Sequence, residues 1–444
     1  MSIRPRLPRG MRDFLPGDML RREYVFGTVR EVFERYGFEP LQTPVLELNE
    51  ILSGKYGEDA EKLIYHAQHP GGREELALRY DLTVPLARVV GQHRQHIVLP
   101  FKRYQLAPVW RAERPQRGRY REFVQCDADI VGVAGMSADA EVLGVLHDAL
   151  GALGFPHFTI RINNRKLLTA IGQFSGVPDA RLGDLWRSID KFDRIGADGV
   201  RAELVGRGIH ADAVARMMDL VSADAAADPL LRIQQAMGEL PAAQAGLREL
   251  HELIALLDAT GIPPDAWVID FTMVRGLGYY TGPIFETVIE QPNLGSISGG
   301  GRYDELVGLF RRDSLPTTGI SLGIERIIDL LDALNLYPAS LGGTVVQVLV
   351  AVFDEQTRPQ ATRLATDLRK AGIRCELHLE ARRIGRQLQS ADRRGIPLVA
   401  LQGSDELERD QVRLRHMADG SERTVSRVLV TGEVARMLGK QTVA

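Results

Sequence analysis

The chain has 444 residues, of which 25 % are charged, and a formal net charge of −3, as expected of a globular protein with two or three domains. We expect no secretory signal and no membrane span, because the first residues lack an apolar stretch and no apolar run approaches about 20 residues. Cys126 and Cys375 are too few for a disulfide framework or a thiolate zinc site, which favours a reducing, cytoplasmic setting.

The first predicted element is a helix over about Gly17–Tyr36, where apolar residues recur at helical spacing and Gly37 follows as a stop. Leu41–Leu48 then predicts a strand broken by Pro44, which confines the strand to an edge or a bulge. A long helix followed by an edge strand fits either the edge of a core or a dimer surface.

Two strands are predicted over Lys102–Ala112 and Arg121–Val131, where apolar and polar residues alternate. Between them, Glu113–Tyr120 contains Pro115 and Gly118, so we expect an antiparallel hairpin with a long basic loop. The arginines in and around this loop are Arg111, Arg114, Arg117, Arg119 and Arg121. Such a cluster is either a solvated face or a surface that contacts phosphates.

Beyond the hairpin a strand is predicted over Phe158–Ile162, and alanine- and leucine-rich segments then predict an inserted helical domain from Pro178 to about Asp258. The later predicted elements are strands at Val268–Val274 and Ile284–Ile289, turns at Gly299–Gly301, a helix at Ile324–Leu334 and a linker at Tyr337–Gly343.

After the linker, strands and helices alternate, which predicts a small α/β domain. The strands are Val345–Val352, Arg374–His378 and Pro397–Gln402, and the helices are Thr357–Ala371 and Arg382–Arg394. Arginines crowd this stretch, Arg383 and Arg386 among them.

The strand Arg121–Val131 carries the most informative pattern. One face is apolar, and the other holds Phe123, Gln125, Asp127 and Asp129. Side chains two residues apart stand on one face at about 6.6 Å spacing, so Gln125 and Asp129 can hold different ends of a small polar ligand. The alternative is a sheet face wetted by water. The chain also lacks a phosphate-binding G-x-x-x-x-G-K-[ST] loop, so a nucleotide would be held by side-chain cations.

Four stretches resemble class II aminoacyl-tRNA synthetases. Phe101–Asp129 resembles the second signature motif in its histidyl form, Gly319–Arg326 the third, and Glu31–Glu47 the first, which in the family forms the dimer interface. Val274–Glu286 is similar to a stretch peculiar to histidyl-tRNA synthetases. The resemblance implies an α+β fold with an antiparallel-sheet catalytic domain over residues 1–336, a helical insertion at about 178–258, and a C-terminal α/β anticodon-binding domain over 344–444.

The resemblance also assigns roles to residues that match the family motifs. It implies that Arg111, Arg275 and Arg326 are catalytic, with Arg111 and Arg275 at the α-phosphate and Arg326 at the γ-phosphate. The implied ATP-binding set is Arg111, Glu113, Arg121, Phe123 and Arg326, with Glu113 on the adenine amino group and Phe123 stacked on the ring.

The implied histidine site has two parts. Asp81, Thr83 and Gln125 match the residues that receive the α-amino group, and Asp129 and Tyr280 match those that recognise the imidazole, with Tyr279 lining the same pocket. The alternative for Tyr279 and Tyr280 is an aromatic pair in a core. One position departs from the family, which usually has an acidic residue where this chain has Gly278, and this predicts a looser loop around Arg275.

The implied reaction is ATP-dependent activation of L-histidine to histidyl-adenylate, followed by transfer to tRNA(His). The expected partners are ATP with Mg²⁺ bound to the substrate, histidine, tRNA and a second copy of the chain, with no permanent protein-bound metal. Arg117, Arg119, Arg383 and Arg386 are the expected tRNA contacts. Two rivals are a histidine-sensing regulatory paralogue that makes no adenylate and a class II synthetase for another amino acid.

Overall fold

The structure is a computed structural model that describes residues 3–56, 58–221, 228–274 and 278–439. It divides into two compact units. One comprises Met1–Arg12 with Val25–Leu336, and the other comprises Asp13–Tyr24 with Tyr337–Ala444. Within the described parts of the chain, no helix is both long and apolar enough to cross a membrane.

The elements are numbered in chain order. The strands are β1 Glu39–Pro40, β2 Leu46–Leu48, β3 His66–Ala67, β4 Leu76–Leu78, β5 Phe101–Trp110, β6 Glu122–Val131, β7 Thr159–Asn164, β8 Trp267–Ile269, β9 Pro283–Val288, β10 Ser298–Arg302, β11 Thr317–Gly323, β12 Val348–Val350, β13 Cys375–Leu377, β14 Leu398–Leu401, β15 Gln411–His416 and β16 Glu422–Ser426.

The helices are α1 Pro16–Arg35, α2 Asn49–Leu52, α3 Glu58–Glu61, α4 Thr83–His93, α5 Ser137–Ala152, α6 Arg165–Phe174, α7 Leu182–Ile189, α8 Phe192–Gly206, α9 Ala211–Val221, α10 Pro229–Met237, α11 Pro241–Thr260, α12 Ile324–Leu334, α13 Arg358–Lys370, α14 Ile384–Arg393, α15 Ser404–Glu408 and α16 Val430–Met437.

A sheet with the order β1-β5-β6-β11-β10-β9-β7-β8 forms the body of the first unit. Its central strands are antiparallel, and only the outer pairs β1/β5 and β7/β8 are parallel. Helix α5 packs against β6 and β11, and it is buried along most of its length, chiefly through alanine, valine and leucine side chains. The predicted antiparallel catalytic sheet is therefore confirmed.

The second unit contains a five-stranded sheet with the order β13-β12-β14-β15-β16. Strands β12, β13 and β14 are parallel, and β15 and β16 extend the sheet in antiparallel fashion. Helix α13 contributes Leu364 and Leu368 to a core shared with β12 and β14. The predicted α/β domain is confirmed, although the sequence did not predict β15 and β16.

Three predicted elements differ from the structure. Leu41–Leu48 is not one strand, because only β1 and β2 form on either side of the break at Pro44, with β1 at the edge of the large sheet. Gly299–Gly301 is not a turn but the centre of β10. The strand predicted over Val268–Val274 ends at Ile269, and the chain then turns around Asp270, whose carboxylate accepts from the backbone N–H of Thr272 at 2.8 Å.

Candidate active site

The β5–β6 hairpin forms part of a cleft of about 340 Å³ in the first unit. Four side chains of β6 line the cleft and alternate along the strand: Phe123, Gln125, Asp127 and Asp129. Cys126 and Ala128, which lie between them, are fully buried on the opposite face. Successive side chains of a strand point to opposite faces, so the predicted alternation is confirmed.

Arg111 reaches this cleft from just beyond the end of β5. Its backbone N–H donates to the carbonyl of Arg121 at 2.9 Å, whereas the residue opposite Gln125 is Ala107. The strand predicted over Lys102–Ala112 therefore ends earlier, because β5 continues only to Trp110 and Arg111 belongs to the start of the loop. Arg111 nevertheless lines the same cleft as Gln125.

The Arg111 guanidinium is held by aromatic rings. Its central carbon lies 4.3 Å from the ring centre of Tyr80 and 5.1 Å from that of Phe123, and its Nε donates to the carbonyl of Tyr80 at 3.1 Å. Among the described residues, no carboxylate lies within ion-pair distance of it. This arrangement leaves a preoriented cation in the cleft, as a planar guanidinium stacked on rings retains its charge and its donors.

Glycines form the rest of the floor on β10 and β11. A Cβ at Gly319 would lie 1.9 Å from Oδ1 of Asp129, and a Cβ at Gly300 would lie 2.1 Å from the carbonyl oxygen of Gly319. Side chains at these positions would therefore collide with the carboxylate or the neighbouring strand. The glycines keep the sheet surface bare where a ligand approaches it.

Asp81 and Thr83 lie at the start of α4 and face the cleft together with Gln125. Oδ1 of Asp81 accepts from the hydroxyl of Tyr56 at 3.0 Å and from the backbone N–H groups of Thr83 and Val84 at 3.2 and 3.1 Å. Oδ2 has no hydrogen-bond partner among the described residues, and burial raises the pKa of this carboxyl. A cationic donor would satisfy the open oxygen.

Asp129 lies at the far end of the polar face of β6 and is 2 % exposed. Its Oδ2 lies 2.8 Å from Nη2 of the fully buried Arg103, and its Oδ1 accepts from the hydroxyl of Tyr303. Burial raises the pKa of Asp129, while Arg103 and the Tyr303 hydroxyl act in the opposite direction. The carboxylate is therefore part of a buried network as well as of the cleft lining.

Tyr279 and Tyr280 line the cleft above these carboxylates. Their ring centres are 4.9 Å apart, and the ring of Tyr303 meets that of Tyr279 edge-on at 5.7 Å. Burial raises the pKa of Tyr279 well above its ordinary value, so its hydroxyl is a hydrogen-bond donor at neutral pH. The three rings form one aromatic wall beside β6.

The loop after Arg111 and the first turn of α12 bring further charged groups to the cleft. Arg326 donates from Nε to the carbonyl of Gly118 at 3.3 Å, and the Glu113 carboxylate pairs with Nε of Arg119 at 3.1 Å. Arg121 lies beside the lining and donates from Nε to the carbonyl of Glu113 at 3.0 Å. Arg117 is exposed on the same loop.

The N-terminal segment braces this loop. Arg12 forms an ion pair with Glu325, whose carboxylate lines the cleft, and its guanidinium carbon lies 3.3 Å from the ring centre of Tyr120. The backbone N–H of Arg121 donates to the carbonyl of Gly10 at 2.9 Å. Glu325 and Arg12 were not candidate residues in the sequence, because only the fold brings residue 12 to residue 325.

Three predicted residues lie elsewhere. Arg275 falls outside the described residues. Arg383 and Arg386 belong to the second unit, where they are exposed at the start of α14. The described residues thus bring eleven predicted positions into one cleft: Asp81, Thr83, Arg111, Glu113, Arg119, Phe123, Gln125, Asp129, Tyr279, Tyr280 and Arg326.

Three residues that contact the polar face of β6 were not predicted as site residues: Arg103, Tyr303 and Ser321. They come from β5 and from the region of β10 and β11, and their roles depend on strand pairing that no local pattern specifies. Asp127 was recognised as part of the polar face but was given no role. Its neighbours on the adjacent strands, Gln105 and Ser321, could have been identified only if the order and register of the strands had been known.

Chemically, the cleft combines buried carboxylates along β6 with arginines from the loops. A carboxylate cluster suits a cationic or N–H-bearing ligand group, and Arg111 with Arg326 suits phosphate oxygens. Phe123 offers a flat face for a ring. This set of groups matches two ligands bound together: a zwitterionic amino acid with a polar ring, and a nucleoside triphosphate.

Comparison with known proteins gives a consistent result. The family model described as histidyl-tRNA synthetase matches residues 10–327, and the model described as anticodon binding domain matches residues 347–436. The histidine–tRNA ligase of Aeropyrum pernix is 43 % identical over 94 % of this chain and 94 % of its own length. The histidine–tRNA ligase of Cytophaga hutchinsonii is 40 % identical over 94 % of this chain and 97 % of its own length.

Among solved structures, the histidyl-tRNA synthetase of Nostoc sp. PCC 7120 superimposes with a TM-score of 0.86 at 32 % identity. The match covers 98 % of this chain and 100 % of that protein. Both units are therefore shared with a solved relative.

Proposed function

The chain belongs to the histidyl-tRNA synthetase family, and we propose that its cleft joins histidine to ATP and then passes the histidine to tRNA(His). The class II synthetase body and the anticodon-binding domain are both present, which supports the ligase over a histidine-sensing regulatory subunit. The match to histidine–tRNA ligases over nearly the full length likewise disfavours a synthetase for another amino acid.

Histidine would bind with its α-amino group at Asp81, Thr83 and Gln125. Three observations support this. Oδ2 of Asp81 and Oε1 of Gln125 are buried without hydrogen-bond partners among the described residues, and both residues line the cleft. An ammonium group brings three donors and a positive charge, so it would satisfy both oxygens and offset the burial of the Asp81 carboxylate.

The imidazole would lie against the aromatic wall and the carboxylates of β6. The resemblance assigns its recognition to Asp129 and Tyr280, with Tyr279 beside them. An acceptor for the ring N–H gives selectivity, because an apolar side chain of similar size would leave that acceptor buried and unpaired.

ATP would enter with its Mg²⁺, which substrate phosphates commonly hold. We propose that Phe123 stacks on the adenine, that Glu113 accepts from the adenine amino group, and that Arg326 meets the terminal phosphate. The position of Arg326 in the first turn of α12 supports this role, because the N-terminus of a helix favours an anion. Arg121 would hold the loop through its hydrogen bond to Glu113.

In the first step an oxygen of the histidine carboxylate attacks the α-phosphorus, and the bond from that phosphorus to pyrophosphate breaks. Arg111 would stabilise the charge on the phosphoryl oxygens, with Arg275 assigned to the same phosphate by resemblance. The stacked guanidinium supports this role, because its orientation is fixed before the reaction begins. In the second step a terminal ribose hydroxyl of tRNA takes the acyl group, and AMP leaves.

Transfer RNA would contact two basic surfaces. Arg117 and Arg119 lie on the loop beside the cleft, which suits the acceptor end, and Arg383 and Arg386 lie on the anticodon-binding domain. We also propose a homodimer, because Glu31–Glu47 resembles the dimer motif and the apolar side chains of Val45 and Leu46 are partly exposed. The two free cysteines fit a reducing cytoplasm.

Amino-acid-dependent ATP–pyrophosphate exchange tests this proposal. We expect exchange with L-histidine alone, and Arg111→Ala should slow it by about two orders of magnitude or more, as loss of a charge stabiliser at a reacting centre typically does. Arg114→Ala is the matched control, because Arg114 is exposed on the same loop and does not line the cleft.

Either of two results would contradict the proposal. One is normal exchange in folded Arg111→Ala. The other is a wild-type protein that binds histidine but catalyses no exchange, which would favour a regulatory role.

A further inference from the structure

Glu325 places a negative charge in the cleft beside the arginine proposed to meet the terminal phosphate. It precedes Arg326 in the first turn of α12, lines the cleft and is only 5 % exposed. A carboxylate at that place repels a bound triphosphate, because like charges interact strongly where water is largely excluded. The proposed ATP site therefore requires a group that compensates Glu325.

The fold shows what the acidic residue does there. Oε1 of Glu325 accepts from the backbone N–H of Val124 at 3.4 Å. Val124 lies between Phe123 and Gln125 on β6, so this bond joins the first turn of α12 to the strand that lines the cleft. An amide oxygen could accept the same N–H, whereas only the carboxylate adds a charge.

Arg12 supplies the compensating charge. Its Nη2 forms an ion pair with Oε2 of Glu325, and the two side chains are 28 % and 6 % exposed. The described lining of the cleft does not include Arg12. An effect of this arginine on a ligand therefore passes through the residues that it contacts.

Arg12 also contacts the loop that packs against Arg326. Its guanidinium carbon lies 3.3 Å from the ring centre of Tyr120, which lines the cleft. Gly118 of the same loop accepts from Nε of Arg326 at 3.3 Å. Arg12 thus contacts both elements that flank Arg326, the loop through Tyr120 and the helix through Glu325.

Resting on the proposed function, we infer that Arg12 is a positioning residue for ATP, which cancels the charge of Glu325 beside the triphosphate and fixes the loop through Tyr120. The proposed contacts of histidine lie at the start of α4, on β6 and in the aromatic wall. Loss of Arg12 should therefore weaken ATP binding and leave histidine binding nearly unchanged.

A cycle of variants tests this inference by pyrophosphate exchange of the full-length protein. Arg12→Met keeps much of the side-chain length but removes the charge, so we expect the KM for ATP to rise about 10-fold while the KM for histidine stays within about 2-fold. Arg6→Met is the matched control, because Arg6 is exposed in the same N-terminal segment, and it should leave both constants unchanged. Thermal melting of each variant checks the fold.

Neutralising Glu325 should reverse the defect. Glu325→Gln keeps an acceptor for the N–H of Val124, so Arg12→Met combined with Glu325→Gln should return the KM for ATP to within about 3-fold of the wild type. Glu325→Gln alone should lower this KM, because Arg12 then adds an uncompensated positive charge. A purely structural role of the ion pair predicts instead that the double variant is at least as impaired as Arg12→Met.

Binding of ATP and of adenosine, each measured without histidine by the rise in melting temperature that it induces, separates charge from shape. Adenosine carries no phosphate, so Arg12→Met should weaken ATP binding far more than adenosine binding. Arg12→Lys retains the charge but not the planar stacking on Tyr120, and it should raise the KM for ATP by no more than about 3-fold.

The inference is overturned if folded Arg12→Met keeps the wild-type KM for ATP, or if the double variant is as impaired as Arg12→Met. Equal loss of ATP and adenosine binding would also overturn it, because the shape of the loop and not the charge would then be responsible. If melting shows that Arg12→Met does not fold, Arg12→Lys and the double variant carry the test, and a rise of about 10-fold in the KM for ATP in either one counts against the inference. Absence of exchange in the wild-type protein would instead count against the proposed function.

Discussion

The cleft concentrates buried acidic groups whose charge is only partly compensated. Asp81, Asp127 and Asp129 line it and are almost completely buried, and burial raises the pKa of each carboxyl. Arg103 is the buried cation closest to the last two. Such a site is costly to the free protein and becomes favourable when a cationic or N–H-bearing ligand enters, because the ligand supplies the missing donors.

Asp127 makes this cost measurable. Burial raises its pKa from 3.8 to about 7. The charge of Asp129 acts in the same direction, whereas Arg103 and the Ser321 hydroxyl lower the pKa. The folded protein therefore binds more protons than the unfolded chain between about pH 4 and 7, so this group contributes stability below pH 4 that is lost as the pH rises through 7.

We expect Asp127→Asn to differ least from the wild type near pH 4, before ionisation of the unfolded chain disfavours folding, and to melt at a higher temperature than the wild type at pH 8. Melting curves of both proteins without ligand at the two pH values measure the difference. A wild type that gains stability relative to Asp127→Asn toward pH 8 would show that Arg103 outweighs burial.

At this scale the sequence predicted much of the cleft. The period-two pattern of β6 identified its polar face, and the resemblance assigned most of the ligand groups around it. It could not identify Arg103 or Tyr303, because these residues reach Asp129 only through the pairing of β5 with β6 and the return of the chain after β10.

At the scale of elements, the packing of the glycine-rich strand β10 explains why the turns predicted at Gly299–Gly301 are absent. Three consecutive glycines favour a turn by their conformational freedom, yet here the sheet requires them. Gly300 pairs with Ile320 on one side and Phe285 on the other, and a Cβ on it would lie 2.8 Å from the Ile320 Cα. Close packing of neighbouring strands overrides the local propensity.

Gly300→Ala should therefore destabilise the catalytic unit by about 1–3 kcal/mol or more, since β11 must move to accept the methyl group. Gly27→Ala is the matched control, because Gly27 is exposed within α1 and a Cβ there would meet nothing within 4 Å. It should be neutral or stabilise by about 0.5–1 kcal/mol. Thermal unfolding followed by circular dichroism compares the two, and equal melting temperatures would contradict the strand packing described here.

Helices α1 and α12 illustrate what a local sequence pattern predicts well. Apolar spacing and terminal signals identified α1 within one residue, and α12 was predicted with its observed bounds. Residues 41–48 were harder, because a proline-broken segment satisfies its hydrogen bonds only through strands from distant parts of the chain. Leu41, for example, donates its backbone N–H to the carbonyl of Tyr104 at 2.9 Å.

At the scale of the whole molecule, the residues proposed to form the adenylate lie in the first unit, whereas the domain proposed to bind the anticodon lies in the second. Every described residue proposed to bind histidine or ATP lies in the first unit, and the anticodon-binding match lies in the second. The second unit also includes Asp13–Tyr24, where Tyr24 packs edge-on against Tyr337 with ring centres 5.9 Å apart. A truncation at the Tyr337–Gly343 linker would therefore disturb the N-terminal segment, and point substitutions give the cleaner test.

The arginines of the second unit differ in how far they are neutralised. Arg394 forms a two-pronged ion pair with Glu376, at 2.7 and 2.6 Å. Arg383 and Arg386 are exposed, and no carboxylate lies within ion-pair distance of either among the described residues. Gln387 fixes the start of their helix, because its amide exchanges hydrogen bonds with the backbone of Val352 at 3.0 and 2.7 Å.

We predict that Arg383→Ala with Arg386→Ala lowers tRNA affinity, and the slope of log affinity against log salt should become less steep by about 1 to 2, as each lost phosphate contact releases fewer counterions. Pyrophosphate exchange should stay within about 2-fold of the wild type, because the cleft belongs to the other unit. Aminoacylation at limiting tRNA should fall in proportion to the affinity.

Arg394→Ala is the control. It also removes a positive charge from the second unit, but Glu376 already neutralises that charge, so the salt slope should change little. Equal effects of Arg394→Ala and the double variant would mean that net charge alone, and not the exposed pair on α14, attracts the tRNA.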